Sequence, residues 1–175
     1  MKNLLACSII AAGCFAAGSV SAQTCTASAG AIALTGANSL TTPITNFDTC
    51  SVTNQLGAMC SSATTSAATD AIWSVTLGPG AIGGATAAEQ NFVISTSAAT
   101  YDMYAALLQG ACADSAPCPV EADSNGAGGS ETISVQGRPA GQYFLAVTSF
   151  TAGQCGPVTI AVPRLPVSLQ NFSVE

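Results

Sequence analysis

The clearest alternation of apolar and polar positions runs from Asp70 to Leu77. From Trp73 onward, every second residue is apolar and the residues between are hydroxylated: Trp73, Val75 and Leu77 against Ser74 and Thr76. A period of two is the side-chain period of a β-strand, in which successive residues point to opposite faces. The pattern therefore predicts a strand with one buried face, and we expect Trp73 to lie in the core.

The stretch that ends at Phe150 predicts a turn followed by a second strand. Pro139 sets φ for one turn position, and Gly141 gives the chain the freedom to leave that turn. Both faces of the following strand are apolar, with Tyr143, Leu145 and Val147 on one side and Phe144 and Ala146 on the other. We expect a central strand covered on both sides, with Tyr143 in the same core as Trp73. The alternating run Glu131–Val135 before it should complete a β-hairpin.

Shorter apolar runs predict further strands separated by turns. They cover Ala27–Leu34, Asn91–Ser95, Tyr101–Leu108 and Val158–Val162, with a last edge strand at Val167–Leu169. Tyr101–Leu108 would also form an apolar helical face, but its neighbours are strands, which favours β. The Ser/Thr/Ala run 61–69 and the polar segment Cys112–Ser130 predict surface loops.

Short strands, frequent turn residues and the lack of a long helical period predict an all-β fold. We expect a single antiparallel β-sandwich, jelly-roll-like, over residues 23–162. Residues 163–175 would follow as a tail or an edge strand. A chain of this length buries roughly two-thirds of its unfolded surface, which is enough for one domain.

Residues 1–22 have the pattern of a signal peptide. Lys2 precedes an apolar run over residues 4–17, and Val20-Ser21-Ala22 is a small-x-small cleavage site, so the mature chain should begin at Gln23. No later segment reaches the roughly 20 apolar residues that a membrane crossing needs. We therefore expect a secreted or extracellular protein without membrane insertion, or a periplasmic one.

The eight cysteines include Cys7 and Cys14, which leave with the signal peptide. Ala11 stands where lipoprotein signals usually carry leucine, so lipid anchoring at Cys14 is not expected. The six cysteines that remain in an exported chain predict three disulfides. Proximity along the chain, followed by elimination, predicts the pairs Cys50 with Cys60, Cys112 with Cys118, and Cys25 with Cys155.

Composition excludes several classes of function. The predicted mature chain has no lysine, and the whole chain has no histidine, which rules out histidine-dependent triads, histidine-ligated zinc and imidazole acid–base catalysis. Nine acidic residues against Arg138 and Arg164 give the mature chain a formal charge of 2 − 9 = −7. Nucleic acids and anionic membranes bind basic patches, so neither is an expected partner.

Four motifs lie together between residues 70 and 162: Asp70-Ala71-Ile72-Trp73, Tyr101-Asp102-Met103-Tyr104, the segment Cys112–Cys118, and Pro139-Ala140-Gly141-Gln142-Tyr143-Phe144-Leu145-Ala146-Val147. As a set they resemble the bacterial pre-peptidase C-terminal domain family of secreted β-sandwich modules. The resemblance implies a non-catalytic module associated with secretion, substrate binding or calcium. It also makes Asp70 and Asp102 the family's recurrent acids. From the residues alone, we expect both acids to form hydrogen bonds at turns or strand ends, with a calcium or partner contact as the alternative.

The acidic loop that precedes Glu131 is a candidate calcium site. Glu121, Asp123 and Asn125 place oxygen ligands at alternate positions, and Gly126 stands where calcium loops turn sharply. Glu131 would be the distal ligand, but it arrives one residue early for an EF-hand. We therefore expect a solvated acidic loop with millimolar or absent calcium affinity, and no other cofactor.

Two functions from different classes remain. The first is a secreted non-catalytic binding or adhesion module whose loops, above all Cys112–Glu131, contact a polysaccharide, a surface or a protein. The second is a structural subunit of an extracellular assembly, which suits a small, low-charge, disulfide-linked chain and implies self-association. Enzymatic activity is not expected, because no hydroxyl nucleophile has an activating motif and no carboxylate pair is singled out. A sugar-binding role for Trp73 is the alternative to its place in the core.

Overall fold

The computed structural model describes residues 25–34, 43–60, 68–78 and 91–161. The predicted signal peptide with Cys14, the tail 163–175 with its predicted edge strand, and most of the loop 61–69 lie outside these ranges. The described residues form a short 3₁₀ turn at Thr49–Ser51 and nine strands: β1 (Gly30–Leu34), β2 (Ile44–Asp48), β3 (Ala71–Leu77), β4 (Asn91–Thr96), β5 (Met103–Gln109), β6 (Val120–Ala122), β7 (Glu131–Ser134), β8 (Gly141–Ser149) and β9 (Pro157–Ala161).

These strands form two facing sheets, one with the order β1-β3-β8-β5-β6 and the other with the order β2-β9-β4-β7. Counted from β2, the eight strands give the orders first-eighth-third-sixth and second-seventh-fourth-fifth, which is the strand order of a jelly roll. Every pair is antiparallel except β1 and β3, which run parallel. The predicted all-β sandwich is confirmed, with β1 added at one edge.

Alternate side chains of both sheets fill the space between them. Trp73 and Tyr143 are each 1% exposed and belong to one buried cluster with Phe92 and Ile133 of the facing sheet. The ring of Phe47 meets Trp73 edge-on, with 5.1 Å between the ring centroids. The prediction that Trp73 and Tyr143 share one core is confirmed, and an enclosed indole is not available as a platform for sugar.

The five-stranded sheet is covered on its outer face as well. Side chains of β3, β5 and β8 that point away from the first core form a second buried cluster: Ile72, Tyr104, Ala106, Leu108 and Ala146. Leu56, Met59 and Cys112 complete this cluster, so the segments that carry them lie over the outer face. We call residues 52–60 the covering loop. β8 is central and apolar on both faces, as its sequence predicted.

The predicted β-hairpin between Glu131–Val135 and the strand of Tyr143 is wrong. β7 pairs with β4 in the four-stranded sheet, whereas β8 pairs with β3 and β5 in the other. A turn does follow β7, with Arg138 N donating to Val135 O (3.2 Å) and Gly137 at φ +69°, but the chain then crosses to the facing sheet. Alternation places the apolar side chains of β7 and β8 in one core from opposite sides. It therefore identifies the buried face without identifying the partner strand.

The segment Cys112–Ser130, predicted as one loop, contains the short strand β6. Val120 pairs with Leu107 and Ala122 with Ala105, so β5 and β6 form a hairpin. β6 has three residues and only Ala122 among them is buried, which is too little to show an alternation. The loop prediction holds on both sides of this strand.

All six cysteines after the predicted signal peptide form disulfides, as expected, but the predicted pairing is wrong. The bonds join Cys25 to Cys112, Cys50 to Cys155 and Cys60 to Cys118, with Cα–Cα distances of 5.0, 5.1 and 5.2 Å. The partners are 58 to 105 residues apart along the chain. Proximity in sequence misleads here because the jelly roll brings together segments that are far apart along the chain.

Candidate functional site

Residues 110–119 join β5 to β6 and are anchored at several points. Disulfides hold this segment at Cys112 and at Cys118. At its base, Gln109 N donates a hydrogen bond to Pro117 O (2.8 Å). Two covalent anchors and a backbone hydrogen bond restrict the conformations of the segment, so the surface it presents is preorganised.

A surface pocket of about 600 Å³ lies against this segment. It is lined by the continuous stretch Asp114–Glu121 and by Cys60 of the covering loop. The disulfide between Cys60 and Cys118 therefore forms part of its wall. Pockets that bind small molecules or side chains have volumes of roughly 300–1,000 Å³, so this one has the size of a binding site.

The carboxylates of Asp114 and Glu121 supply the negative charge of the pocket. Asp114 Oδ1 accepts a hydrogen bond from Gly57 N (2.9 Å), and Glu121 Oε2 accepts one from Tyr104 Oη (2.5 Å). Each bond fixes the side chain to the scaffold. Because an ionised carboxylate has about four acceptor positions, both groups keep acceptor capacity for a ligand.

Tyr104 supports Glu121 from beneath. Its ring belongs to the outer cluster and meets the ring of Phe150 edge-on, with 5.2 Å between centroids. Burial raises the pKa of Tyr104 well above its ordinary value, and the hydrogen bond to the Glu121 carboxylate and its negative charge raise it further. The hydroxyl therefore stays protonated and continues to donate to Glu121 at physiological pH.

Cys60, Cys118 and Glu121 bring ligand-type atoms within 4.8 Å of one another. A zinc or iron site would use the cysteines as thiolates, whereas these two sulfurs are joined in a disulfide. In the oxidised protein only the carboxylate is a strong ligand, so the three residues do not fit a metal centre.

Three of the four predicted calcium ligands already take part in hydrogen bonds within the protein. Glu131 is 1% exposed, and its two carboxylate oxygens accept hydrogen bonds from Ser124 N (2.9 Å) and Asn125 N (2.8 Å). Asn125 Nδ2 donates to Ser130 O (2.6 Å), and Glu121 accepts from its tyrosine. These groups fit an organising role in the loop better than a calcium shell of roughly six to eight oxygens.

Asp123 is the remaining predicted calcium ligand, and it is exposed. Its pKa is raised, first by partial desolvation and then by the negative charges of Asp102, Glu131 and Glu121. These carboxylates lie close enough to repel one another. The loop beside the pocket is therefore a region of concentrated negative charge.

Asp70, the first of the motif acids, is fully buried just before β3. Its Oδ2 accepts hydrogen bonds from Gln55 N (2.6 Å) and Leu56 N (2.8 Å), which fasten the covering loop to the sheet. Desolvation raises the pKa of Asp70, the two backbone hydrogen bonds offset this shift in part, and the charge of Asp114 adds to it. Asp70 therefore acts as a hydrogen-bond acceptor at a strand end.

Asp102, the second motif acid, lies just before β5 at the same end of the sheet. Its backbone N–H donates to Gln154 Oε1 (3.4 Å), and its carbonyl accepts from Phe150 N (3.3 Å). Its Oδ1 is buried without a hydrogen-bond partner among the described residues. The two motif strands are not neighbours in the sheet, because β8 lies between β3 and β5.

The sequence pattern names Glu121 as a site residue but does not name Asp114, its companion in the pocket. The β5–β6 hairpin and the bond from Cys60 to Cys118 bring the two acids to one pocket, and neither was predicted. The available signal was the density of cysteine and proline in residues 112–119, which is typical of a rigid loop.

A scan against protein-family models found no match for this chain, and searches of the curated proteins and of the solved structures found none either. The resemblance to the pre-peptidase C-terminal domain family stays a prediction. The three disulfides indicate an oxidising compartment outside the cytoplasm. In the described ranges, no helix has the length and apolar character needed to cross a membrane.

Proposed function

We propose that the protein is a secreted, non-catalytic binding module that engages its ligand through the Cys112–Glu131 face. The observation that carries this proposal is the pocket, which is built by a segment held covalently at Cys112 and Cys118. Binding residues are commonly placed on loops that a rigid scaffold positions, and a concave preformed surface is their usual setting. The compartment we propose is extracellular or periplasmic.

The chemistry of the pocket favours binding over catalysis. The charged side chains in its described lining are Asp114 and Glu121, and the chain contains no histidine to act as a base. The scaffold donates a hydrogen bond to each of these carboxylates, which holds the side chain in place. Carboxylates held in this way suit recognition of a ligand.

An extracellular glycan and an extracellular protein are the two proposed classes of ligand. Among the residues that the structure describes, those that line the pocket include no aromatic ring on which a sugar could stack. Its acidic groups and rigid walls suit a protruding side chain. A protein ligand is therefore the better supported of the two.

Blocking the pocket tests this proposal. Ser115 is exposed on the pocket wall, so Ser115→Tyr should fill the opening without disturbing the buried clusters. Thr132→Tyr, on the exposed outer face of β7, is the matched control. We expect the wild type and Thr132→Tyr to sediment with the extracellular material of the producing cells, and Ser115→Tyr to remain in solution. Equal sedimentation of all three proteins would contradict a binding role for the pocket.

A structural subunit is the second candidate, and the edge strand β1 favours it. The other edges are protected, β2 by a bulge, β6 by its three-residue length and β7 by the inward charge of Glu131. β1 is Gly-Ala-Ile-Ala-Leu and carries neither charge nor proline. If this edge assembles chains, the mass measured by light scattering should rise with concentration, and Ala31→Lys should abolish the rise. A constant monomer mass would exclude this alternative.

A further inference from the structure

Building on the proposed binding function, we propose that the pocket accepts a cationic side chain, a lysine ammonium or an arginine guanidinium, presented by an extracellular partner protein. Three features point to this class of ligand. They are the hydrogen-bonding character of the lining, its apolar walls, and the negative charge around it.

The lining offers hydrogen-bond acceptors and few donors. Asp114 and Glu121 are acceptor-only groups, and each is held in place by one hydrogen bond from the scaffold. Pro117 and Pro119 have no backbone N–H to donate. The hydroxyl of Ser115 can accept as well as donate. Such a lining is complementary to a group that only donates, as ammonium and guanidinium groups do.

Part of the wall beside the carboxylates is apolar. Ala116, Pro117, Val120 and the disulfide at Cys118 supply this surface. Lysine and arginine side chains bury their methylene stems along apolar surface while the charged head reaches polar groups. A bare divalent cation would gain nothing from these walls, so they favour a cation on an alkyl stem.

The surroundings of the pocket are negatively charged. After residue 22 the chain contains nine acidic residues and only two arginines. Desolvation raises the pKa of neighbouring Asp123, and the charges of Asp102, Glu131 and Glu121 raise it further, so a bound cation would relieve a repulsion present in the free protein. Attraction of a cation to these acids accelerates association and weakens with salt. Arg138 Nη2 donates to Pro119 O (2.9 Å), so this carbonyl is already satisfied within the chain and the carboxylates are the acceptors that a ligand would meet.

A titration followed by NMR tests the proposal with two capped tripeptides that differ only in their central residue, lysine or norleucine. We expect the lysine peptide to shift the amide signals of residues 114–121, and the norleucine peptide to leave them unchanged. Raising the NaCl concentration should weaken the effect of the lysine peptide. Equal shifts with both peptides would overturn the proposal, because the charge would then play no part.

Charge-removing variants locate the binding. Glu121→Gln and Asp114→Asn each remove one negative charge and keep an oxygen for the hydrogen bond from the scaffold. We expect each to weaken the lysine peptide about tenfold, the effect of one lost charge-assisted hydrogen bond. Asp48→Asn removes an equal charge from the opposite sheet and keeps its bond to Cys50 N, so it should leave the affinity unchanged. Equal losses in all three variants would mean non-specific attraction and would overturn the proposal.

Comparison with the n-butylammonium ion distinguishes binding of a free amine from binding of a side chain that a polypeptide presents. Tighter binding of the lysine peptide than of n-butylammonium supports a protein partner, and equal binding contradicts it. If neither cation binds while Ser115→Tyr still abolishes sedimentation with extracellular material, the cationic ligand is wrong and the binding module stands. If neither cation binds and Ser115→Tyr sediments like the wild type, both proposals fail.

Discussion

Asp70 joins the start of β3 to the covering loop through Gln55 N and Leu56 N. Its folded-state pKa is raised because burial disfavours the carboxylate by more than these bonds favour it. The folded protein therefore binds this proton more tightly than the unfolded chain does. The resulting stabilisation is fully present below the unfolded pKa of about 3.9 and is lost as the pH rises through the folded-state pKa.

Asp70→Asn should remove this dependence on pH while it keeps an acceptor for both amides. We expect the difference between the Tm of the variant and that of the wild type to shift in favour of the variant as the pH rises from acid to neutral. Thermal unfolding over a pH series measures this difference, and parallel pH profiles would contradict the raised pKa. Asp70→Ala leaves two buried amides without an acceptor and should cost about 2 to 4 kcal/mol of unfolding free energy.

Trp73 is the largest side chain in the core between the sheets. Truncation by Trp73→Ala should lower the unfolding free energy by about 3 to 5 kcal/mol, because it removes a large buried ring and leaves a cavity. Urea denaturation followed by circular dichroism measures the change. Val93→Ala, at a position that is 39% exposed, is the control and should change stability by less than about 0.5 kcal/mol. A loss below about 1 kcal/mol for Trp73→Ala would be inconsistent with an enclosed indole.

At the scale of elements, alternation along the chain located most strands, because a half-buried strand repeats every two residues whichever strand it pairs with. β3, β4, β5, β8 and β9 all lie where the apolar pattern predicts them. Pairing was not predictable in the same way, since β7 and β8 bury their apolar residues in one core from opposite sheets. The passage of the chain from one sheet to the other also brings distant cysteines together. The sequence therefore predicted three disulfides but not which cysteines pair.

The disulfide between Cys60 and Cys118 should control the order of the pocket segment. Replacing both cysteines with serine removes a link that spans 58 residues, and chain entropy gives a loss of about 4 kcal/mol. We also expect faster hydrogen exchange in residues 113–121, because the segment loses one anchor. Serines at Cys50 and Cys155 are the matched control: they should cost similar stability but leave exchange in this segment unchanged. Equal acceleration in both variants would show that the bond does not act locally.

The loop from Glu121 to Glu131 determines whether the protein binds calcium. The oxygens of Glu131 are bonded to loop amides, and a calcium shell would have to replace those bonds. We therefore expect calorimetric titration to give millimolar affinity or none. Micromolar binding that Asp123→Ala abolishes would contradict this expectation.

At the scale of the molecule, apolar side chains are buried on both faces of the five-stranded sheet and on one face of the four-stranded sheet. The jelly roll buries the inner faces of both sheets, and disulfide-linked loops bury the outer face of the five-stranded sheet. The pocket forms where these loops meet. Only part of this site was predictable, because Glu121 lies in a recognisable acidic loop whereas its position relative to Asp114 depends on long-range strand pairing and on one disulfide.

Hydrogen–deuterium exchange tests most directly that the disulfide-anchored segment is the binding face of the protein. The oxidised protein would be compared alone and bound to the extracellular material with which it sediments. We predict slower exchange in the amides of residues 114–121, with no change in β4, β7 and β9 of the opposite sheet. Slower exchange confined to β1 or to the four-stranded sheet, with residues 114–121 unchanged, would contradict a binding role for the pocket.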